Sequence, residues 1–286
     1  ASFPTIVSTS AVVGSTAPDL LGAPIPLAAR AGDQQAAMFG QLRVEPGMMK
    51  ITYGTAAMMD LNVGPSLRLS PHGCFPLVLW GLGGERTYCL EGSAVTVGAA
   101  IQWLRDGLGI LTDVADSGAI AASVPDSGGV WCIPAFQGLG TPYLDPAARA
   151  VIGGLSRATG RAQIVRAVLE GIAFRCGEVV EALRADAPGS ELEVLRADGG
   201  AARNDFLMQC QADVTGVAIE RPEVFDAASL GAAYLAGLAT GFWKDLGEAA
   251  RTWRRDRVFE PRLSADERGE RYARWKAIVD VARRQL

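Results

Sequence analysis

The spacing of apolar and polar residues predicts an α/β protein that begins with antiparallel strands. An apolar strand is predicted over Pro26–Ala31, followed by a helix over Gln34–Leu42. Four further strands follow in succession and are separated by Gly-containing turns and loops, as in hairpins. These four predicted strands are Met48–Tyr53, Ala56–Asn62, Phe75–Trp80 and Thr87–Glu91. The first part of the sheet should therefore be largely antiparallel.

Beyond Gly92 the apolar residues recur at helical spacing, and short apolar runs separate the predicted helices. The broadest apolar stripe, over Gln163–Leu183, predicts a central helix that Pro188 and Gly189 end. The small residues of Ala227–Leu238 predict a helix that packs very closely on a neighbour. The remaining predicted helices are Val95–Leu108, Val114–Ser123, Asn204–Thr215 and Ser264–Leu286, and the remaining predicted strands are Val130–Ile133, Leu192–Arg196 and Val217–Glu220.

Two junctions in the first strands carry candidate chemistry. Asp33 lies where the predicted strand gives way to a helix, which would hold a carboxylate at a cleft edge as a general base. Taken alone, the position of Asp33 slightly favours a plain helix cap. Gly54 and Thr55 form a turn whose bare backbone and hydroxyl suit phosphate oxygens, although such a turn is more often only a hairpin. A base and a phosphate-binding turn together suggest phosphoryl transfer.

Two later sites would suit a nucleotide. Gly98 and Gln102 lie four residues apart and share one helix face, which could admit a flat ring, although close helix packing is the commoner reason for such a glycine. A strand that ends in Gly199-Gly200 before a helix brings bare backbone and a helix N-terminus to a ligand. Asn204, in the first turn of that helix, offers an amide donor and acceptor. A lone Gly-Gly pair is more often only a tight turn.

Composition narrows the class of protein. The chain has 286 residues, of which 49% are hydrophobic and 20% charged, and this fits a compact α/β enzyme of one or two domains. The net charge of −4 and the pI near 5.2 give no case for binding nucleic acid or an anionic membrane. His72 is the only histidine, which argues against a histidine triad or a zinc site.

The expected location is the cytoplasm. The five cysteines are scattered with no CxxC pair, as expected for buried thiols in a reducing compartment. The sequence contains no run of apolar residues long enough for a transmembrane span, and its first residues lack the pattern of a signal peptide. The absence of an initial Met and the loop-like opening residues suggest a piece of something longer, although a trimmed tag would explain the missing Met equally well.

Several segments together resemble the FGGY carbohydrate-kinase family and, within it, the glycerol kinases. The resemblance runs in matching order from about residue 15 to the C-terminus, and its clearest segments are Ala31–Gln41, Glu91–Leu108, Pro134–Asp145 and Gly199–Asp213. It implies that residues 1–286 form the C-terminal one of two actin-like (RNase H-like) domains, with a mixed β-sheet flanked by helices. The N-terminal domain would then be absent from this chain, which alone would hold half an active site.

The resemblance also implies roles for individual residues. Asp33 matches the general base, would lie near Mg²⁺ and, with Gln34, would contact the substrate. ATP or ADP and Mg²⁺ are the implied cofactors, and the full-length enzyme is expected to be a homo-oligomer, a dimer or tetramer. The residues that match phosphate or nucleotide contacts are Thr55, Gly98, Gln102, Gly200 and Asn204.

Three departures from the family pattern limit what the resemblance implies. Met58 stands where glycerol kinases usually carry a Phe that packs on the polyol carbons, and Ile51 replaces a frequent Asn. Leu20–Ala23 replaces the Gly-Thr-Arg segment that binds fructose bisphosphate in some relatives, so no such control is expected. Three functions therefore remain: a glycerol kinase, a kinase of another polyol or sugar, and a non-catalytic nucleotide-binding module.

Overall fold

A seven-stranded mixed sheet forms the centre of the fold, in the strand order β3-β4-β2-β1-β7-β8-β9. The computed structural model describes residues 4–189 and 192–283. Strands β1 and β7, and β7 and β8, are parallel, and the other neighbouring pairs in this sheet are antiparallel. Strands β5 and β6 form a separate antiparallel pair. The strands are β1 (Met49–Tyr53), β2 (Ala57–Gly64), β3 (Phe75–Leu82), β4 (Glu85–Ala94), β5 (Trp131–Ile133), β6 (Val151–Gly153), β7 (Val194–Asp198), β8 (Ala218–Pro222) and β9 (Arg255–Phe259).

Helices cover both faces of the sheet, and short 3₁₀ turns over Val114–Asp116 and Gly200–Arg203 lead into two of them. None of the helices in the described ranges is long and apolar enough to cross a membrane. The helices are α1 (Pro18–Leu21), α2 (Asp33–Gly40), α3 (Gly98–Asp106), α4 (Ser117–Ala122), α5 (Arg161–Asp186), α6 (Asp205–Thr215), α7 (Ala227–Thr240), α8 (Leu246–Ala250) and α9 (Ala265–Arg283).

The two faces of the central sheet differ in chemistry. Met49, Ile51 and Tyr53 of β1 point into the main apolar core, which α3, α5 and α6 complete. Because side chains alternate along a strand, Lys50 and Thr52 point to the opposite face. That face is covered by α2 and α7, which share a second, smaller core with β3 and β4. The polar face of the sheet therefore lies beneath the helix that Asp33 begins.

Two glycines allow α2 and α7 to pack backbone against backbone. A Cβ atom on Gly231 of α7 would lie 1.8 Å from the carbonyl oxygen of Ala36, and one on Gly40 of α2 would lie 2.1 Å from that of Ala227. This confirms the close packing expected of the Ala/Gly-rich helix. The contact fixes the height of α2 above the sheet and so the place of Asp33.

The α/β class and the antiparallel start of the sheet are confirmed, but the strand predicted over Pro26–Ala31 is wrong. Those residues meet the preceding segment through isolated bridges, between Ser15 and Pro26 and between Ser10 and Ala29, and through scattered backbone hydrogen bonds that form no continuous strand. Pro26, at the start of the segment, lacks the N–H group that a continuous ladder needs. Asp33 therefore follows a loop rather than a strand.

The structure also differs from the prediction in the boundaries of some elements and in four elements that were not predicted. Helix α3 begins at Gly98 rather than Val95, and β7 runs over Val194–Asp198 rather than Leu192–Arg196. The last residues of the predicted C-terminal helix, 284–286, lie outside the described residues. The elements that the sequence pattern did not predict are α1, β6, α8 and β9.

Candidate functional site

Three segments meet at the ends of β1 and β7: the turn after β1, the first residues of α3, and the bend after β7. The amide of Gly98 donates to the carbonyl of Gly54 at 3.0 Å, and that of Val97 donates to Thr55 at 3.0 Å. Gly199, with φ of +86°, packs so closely on the backbone of Tyr53 that a Cβ atom would lie 2.5 Å from the Tyr53 carbonyl oxygen. Ligands commonly bind at the carboxyl ends of such strands.

The glycines at this junction serve different purposes. A Cβ atom on Gly98 would lie 2.5 Å from the Gly54 oxygen, so Gly98 makes room for the turn, and close packing rather than a ligand explains its lack of a side chain. No atom lies within 4 Å of a Cβ atom built on Gly200. Thr55 is exposed. The open surface at the junction therefore consists of the Thr55 hydroxyl and the Gly200 backbone.

Asp33 is exposed at the first residue of α2, and Gly32 rather than Asp33 occupies the capping position. Its Oδ1 accepts a hydrogen bond from the backbone amide of Gln34 at 2.9 Å, and its Oδ2 lies 3.5 Å from the Gln34 side-chain nitrogen. An exposed carboxylate held in this way at a helix N-terminus is placed to act as a general base.

Asp33 is connected to the junction through buried polar side chains. Lys50 is fully buried and donates to the side-chain oxygen of Gln34, and also to the hydroxyl of Thr52 at 2.9 Å. Its third contact is an ion pair of 2.8 Å with buried Asp60. Thr52 lies two residues before Gly54 and pairs with Asp198 at the end of β7. Asp33 and Gln34 are thus tied to the strand ends that carry the two glycine turns.

Two acids on this polar face have raised pKa values. Burial, followed by the nearby Asp60 carboxylate, raises the pKa of Glu91 to about 7, against the opposing effect of Lys50. Burial raises the pKa of Asp198, while Lys50 and hydrogen bonds from Thr52 and Gln41 act in the opposite direction. Glu91 can therefore hold a proton near neutral pH.

Met58 lies on this same face, opposite Thr52 on one side and Ser93 on the other. It is half-buried, whereas its neighbours Ala57 and Met59 are fully buried in the main core. The thioether therefore offers an apolar contact on the side of the sheet where Asp33 and Gln34 lie.

Asn204 lies at the other end of the site and caps α6. Its Oδ1 accepts from the amide of Leu207 at 3.1 Å, and its Nδ2 donates to the hydroxyl of Ser117 at 3.0 Å. A Cβ atom on Gly118 would lie 2.6 Å from Asn204 Oδ1. A cavity of about 1370 Å³ runs from here between α4, α5 and α6 towards α9, with Ala119 also in its wall. Gln102 is exposed on α3.

Reasoning from the sequence missed Lys50, Asp60 and Glu91, and also the small residues Gly118 and Ala119 beside Asn204. Lys50 and Asp60 looked like ordinary strand residues because nothing in their spacing marks them as a pair. A usable signal was their position, since a charged residue in a strand that is otherwise apolar must find a partner. The small residues lay in a helix that was predicted only weakly.

The site also fits one implied metal. Among the described residues, no group of three or more His, Cys, Asp or Glu side chains is arranged to hold a metal ion. Mg²⁺ is usually held by one or two carboxylates together with substrate phosphates and water. The exposed carboxylate of Asp33 matches that requirement.

The sequence model for the FGGY family of carbohydrate kinases, C-terminal domain, matches residues 49–240. The chain belongs to the FGGY carbohydrate-kinase family. It is 50% identical over 279 residues to a protein named glycerol kinase 2 from Thermotoga maritima, and 51% identical over 281 residues to a glycerol kinase from Symbiobacterium thermophilum. Each match covers 98% of this chain and 56% of the relative, so this FGGY chain spans little more than half the length of these relatives.

Solved structures agree with the family assignment. A Plasmodium falciparum glycerol kinase with ADP superposes with a TM-score of 0.89 at 34% identity. The match covers 98% of this chain and 56% of that one. The mixed sheet flanked by helices is therefore an arrangement that part of that glycerol kinase also has.

Proposed function

We propose that this chain is the nucleotide-binding half of an ATP-dependent kinase that phosphorylates glycerol to glycerol 3-phosphate. The observation that carries the proposal is the exposed carboxylate of Asp33, connected through Gln34 and Lys50 to the strand end before Gly54. A base connected in this way to a turn that offers bare backbone and a hydroxyl supplies two of the parts that phosphoryl transfer to an alcohol uses. The identity of about half to proteins named glycerol kinases supports glycerol as the acceptor.

In this proposal each side chain has a defined task. Asp33 accepts the proton of the acceptor hydroxyl as that oxygen attacks the γ-phosphorus of ATP, and the bond from this phosphorus to the β,γ-bridging oxygen breaks to release ADP. Gln34 donates a hydrogen bond to an acceptor oxygen, and Met58 packs on the carbon chain. Asp33 would also hold Mg²⁺, which when bound neutralises charge on the phosphates.

The nucleotide would lie across the junction between the strand ends. The Thr55 hydroxyl and the open backbone at Gly200 bind phosphate oxygens. Gly98 keeps the turn against α3, whose exposed Gln102 reaches the nucleotide. Asn204 borders the adenine ring of the nucleotide, and the small residues Gly118 and Ala119 beside it leave space for that flat ring.

The length of this chain, compared with that of its relatives, suggests a partner domain. Because it spans 56% of their length, we propose that an N-terminal FGGY domain closes over this half and supplies the remaining substrate contacts. This half alone would then turn over little or no substrate. A homo-oligomeric full-length enzyme, a cytoplasmic location and the absence of fructose bisphosphate control stay predictions.

The test replaces the proposed base in the two-domain protein. Asp33→Asn removes the proton acceptor and should lower kcat for glycerol by about 10²–10⁴-fold, with the KM for ATP changed little. Coupled assay of ADP release measures both constants. Asp280→Asn, an exposed carboxylate on α9, is the matched control and should leave them unchanged. Retained turnover in Asp33→Asn would remove Asp33 from the role of base.

A second candidate is a kinase of another polyol or sugar, which Met58 favours because it replaces the usual aromatic contact. The same assay with glycerol, erythritol and pentuloses ranks the acceptors by kcat/KM. If kcat/KM for a longer polyol or sugar is tenfold higher than for glycerol, the chain would be assigned to a kinase of that substrate within the same family. ADP binding without turnover of any of these acceptors would instead favour a non-catalytic nucleotide-binding module.

A further inference from the structure

The ammonium group of Lys50 is fully buried between the sheet and α2, where it contacts three oxygen-bearing side chains, two through hydrogen bonds and one through an ion pair. One is the carboxylate of Asp60, directly opposite on β2. The second is the hydroxyl of Thr52 on the same strand, at 2.9 Å. The third, the side-chain oxygen of Gln34, belongs to the helix above. A single cation therefore joins two strands of the sheet to the first turn of α2.

This contact determines which way the Gln34 amide faces. An ammonium group only donates hydrogen bonds, so Gln34 must turn its oxygen towards Lys50. The nitrogen of the same amide then faces the opposite way, and it lies 3.5 Å from Asp33 Oδ2. Lys50 thus orients an N–H donor towards the exposed carboxylate and towards whatever binds beside it. If Lys50 were absent, nothing in this chain of contacts would hold the amide in that orientation.

The neighbouring charges explain why a buried lysine is tolerated here. Asp60 is fully buried and Asp198 nearly so, and Glu91 pairs with Asp60 across β2 and β4. A cation among carboxylates avoids the cost of burying an unpaired charge. Asp60 alone would satisfy the charge of Lys50, so the two further contacts concern geometry rather than neutralisation.

We propose that Lys50 is a positioning residue for the acceptor site, because it fixes the amide of Gln34 and through it the orientation of Asp33. The inference rests on the proposed kinase function. It assigns to a residue within the sheet a contribution to acceptor binding, while the nucleotide contacts, which lie at the glycine turns, are unaffected.

The test must separate positioning from stability, because removing Lys50 alone leaves the Asp60 carboxylate buried without a partner. The double variant Lys50→Met, Asp60→Asn in the two-domain protein removes both charges together and leaves Gln34 without its donor. After thermal unfolding has established that the variant is folded, steady-state kinetics should give a KM for the acceptor raised about tenfold, as expected for the loss of one oriented hydrogen bond. The KM for ATP should stay within about twofold. A folded double variant with wild-type constants overturns the inference.

A double-mutant cycle with Gln34 identifies the route of the effect. Gln34→Ala alone should raise the acceptor KM by a similar factor, and adding the Lys50 and Asp60 changes should cost little more. If the factors by which the acceptor KM rises multiply when the changes are combined, Lys50 does not act through Gln34, and the inference is overturned. Should the double variant not fold, Lys50→Arg keeps the charge opposite Asp60 but replaces the compact ammonium with a planar fork. Its acceptor KM should rise several-fold, and an unchanged value overturns the inference.

The outcomes also distinguish this inference from the proposed function. If Asp33→Asn is inactive while the Lys50 variants have wild-type constants, the inference fails and the kinase assignment stands. If Asp33→Asn keeps full turnover, the proposed base fails, and with it the acceptor geometry from which the inference starts.

Discussion

At the scale of single residues, Glu91 is an acid whose protonation should change near neutral pH. Its pKa is raised to about 7, first by burial and then by the carboxylate of Asp60. Between pH of about 4.5 and 7 the folded state therefore keeps a proton that the unfolded chain has released. The free energy of unfolding should fall as pH rises through this interval and level off above it, because both states are then ionised.

Replacing this acid should remove that dependence. Between pH 4.5 and pH 8 the free energy of unfolding of Glu91→Gln should rise by about 1–2 kcal/mol relative to that of the wild type. This value is reduced for the partial exposure of the side chain. Urea unfolding at both pH values measures the difference. Glu270→Gln, an exposed acid on α9, should give a curve parallel to the wild type. A Glu91→Gln curve that is also parallel to the wild type would contradict the raised pKa.

The pairing of Lys50 with Asp60 shows why part of the site escaped prediction at this scale. The sequence identified both strands and the Gly54-Thr55 turn, but it began the second strand at Ala56. A two-residue turn would place Lys50 opposite Met59. The observed loop has three residues, pairs Tyr53 with Ala57 and so places Lys50 opposite Asp60. A shift of one residue moves every side chain to the other face, and local pattern alone cannot decide it.

At the scale of elements, the contact between α2 and α7 controls where Asp33 lies. A methyl group on Gly231 would meet the backbone of Ala36, which cannot move without displacing α2. We expect Gly231→Ala to destabilise the protein by about 1–3 kcal/mol, despite the better helix propensity of Ala. Gly269→Ala on α9 is the matched control, because no atom lies within 4 Å of its Cβ position. It should stabilise by roughly 0.5–1 kcal/mol.

Urea unfolding of both alanine variants measures these opposite effects. An unchanged stability in Gly231→Ala would mean that the two helices can separate at no cost, and the argument that this contact fixes Asp33 would then fail. In the two-domain protein, Gly231→Ala should also lower kcat, because α2 carries the proposed base.

One element that the sequence missed, strand β9, has a clear physical cause. Strand β9 (Arg255–Phe259) lies at the edge of the sheet, where charged residues protect an exposed ladder from pairing with other chains. Arg255 pairs with Glu220, and Arg257 with Asp205, so the charges that hid the strand also hold it in place. The error over Pro26–Ala31 is the converse, because an apolar run began at a proline that cannot donate to a ladder. The long helices and the first hairpins were predictable because their apolar patterns are complete.

At the scale of the whole molecule, the cysteines can report on how the fold opens. Cys74, Cys89, Cys132 and Cys176 are buried, and Cys210 is half-buried, all as free thiols. Four of the five belong to or pack against the main core between the sheet and α5, while Cys89 belongs to the smaller core beneath α2. Burial raises the pKa of Cys74, Cys132 and Cys176 to about 12 and also raises that of Cys89 and Cys210. Thiolates should therefore be scarce in the native state at pH 8.

We expect an aromatic disulfide reagent at pH 8 to label at most one thiol, Cys210, quickly. The other four thiols should react together at the rate of global unfolding, because they lie in cores that open only when the sheet loses its helices. The absorbance of the released thiolate follows both phases, and all five thiols should react at once in denaturant. Cys210→Ser should abolish the fast phase and leave the slow one unchanged. A separate, intermediate rate for Cys89 would contradict this expectation. It would mean that the layer of α2 and α7 opens independently of the main core, carrying Asp33 away from the strand ends while the nucleotide side stays folded.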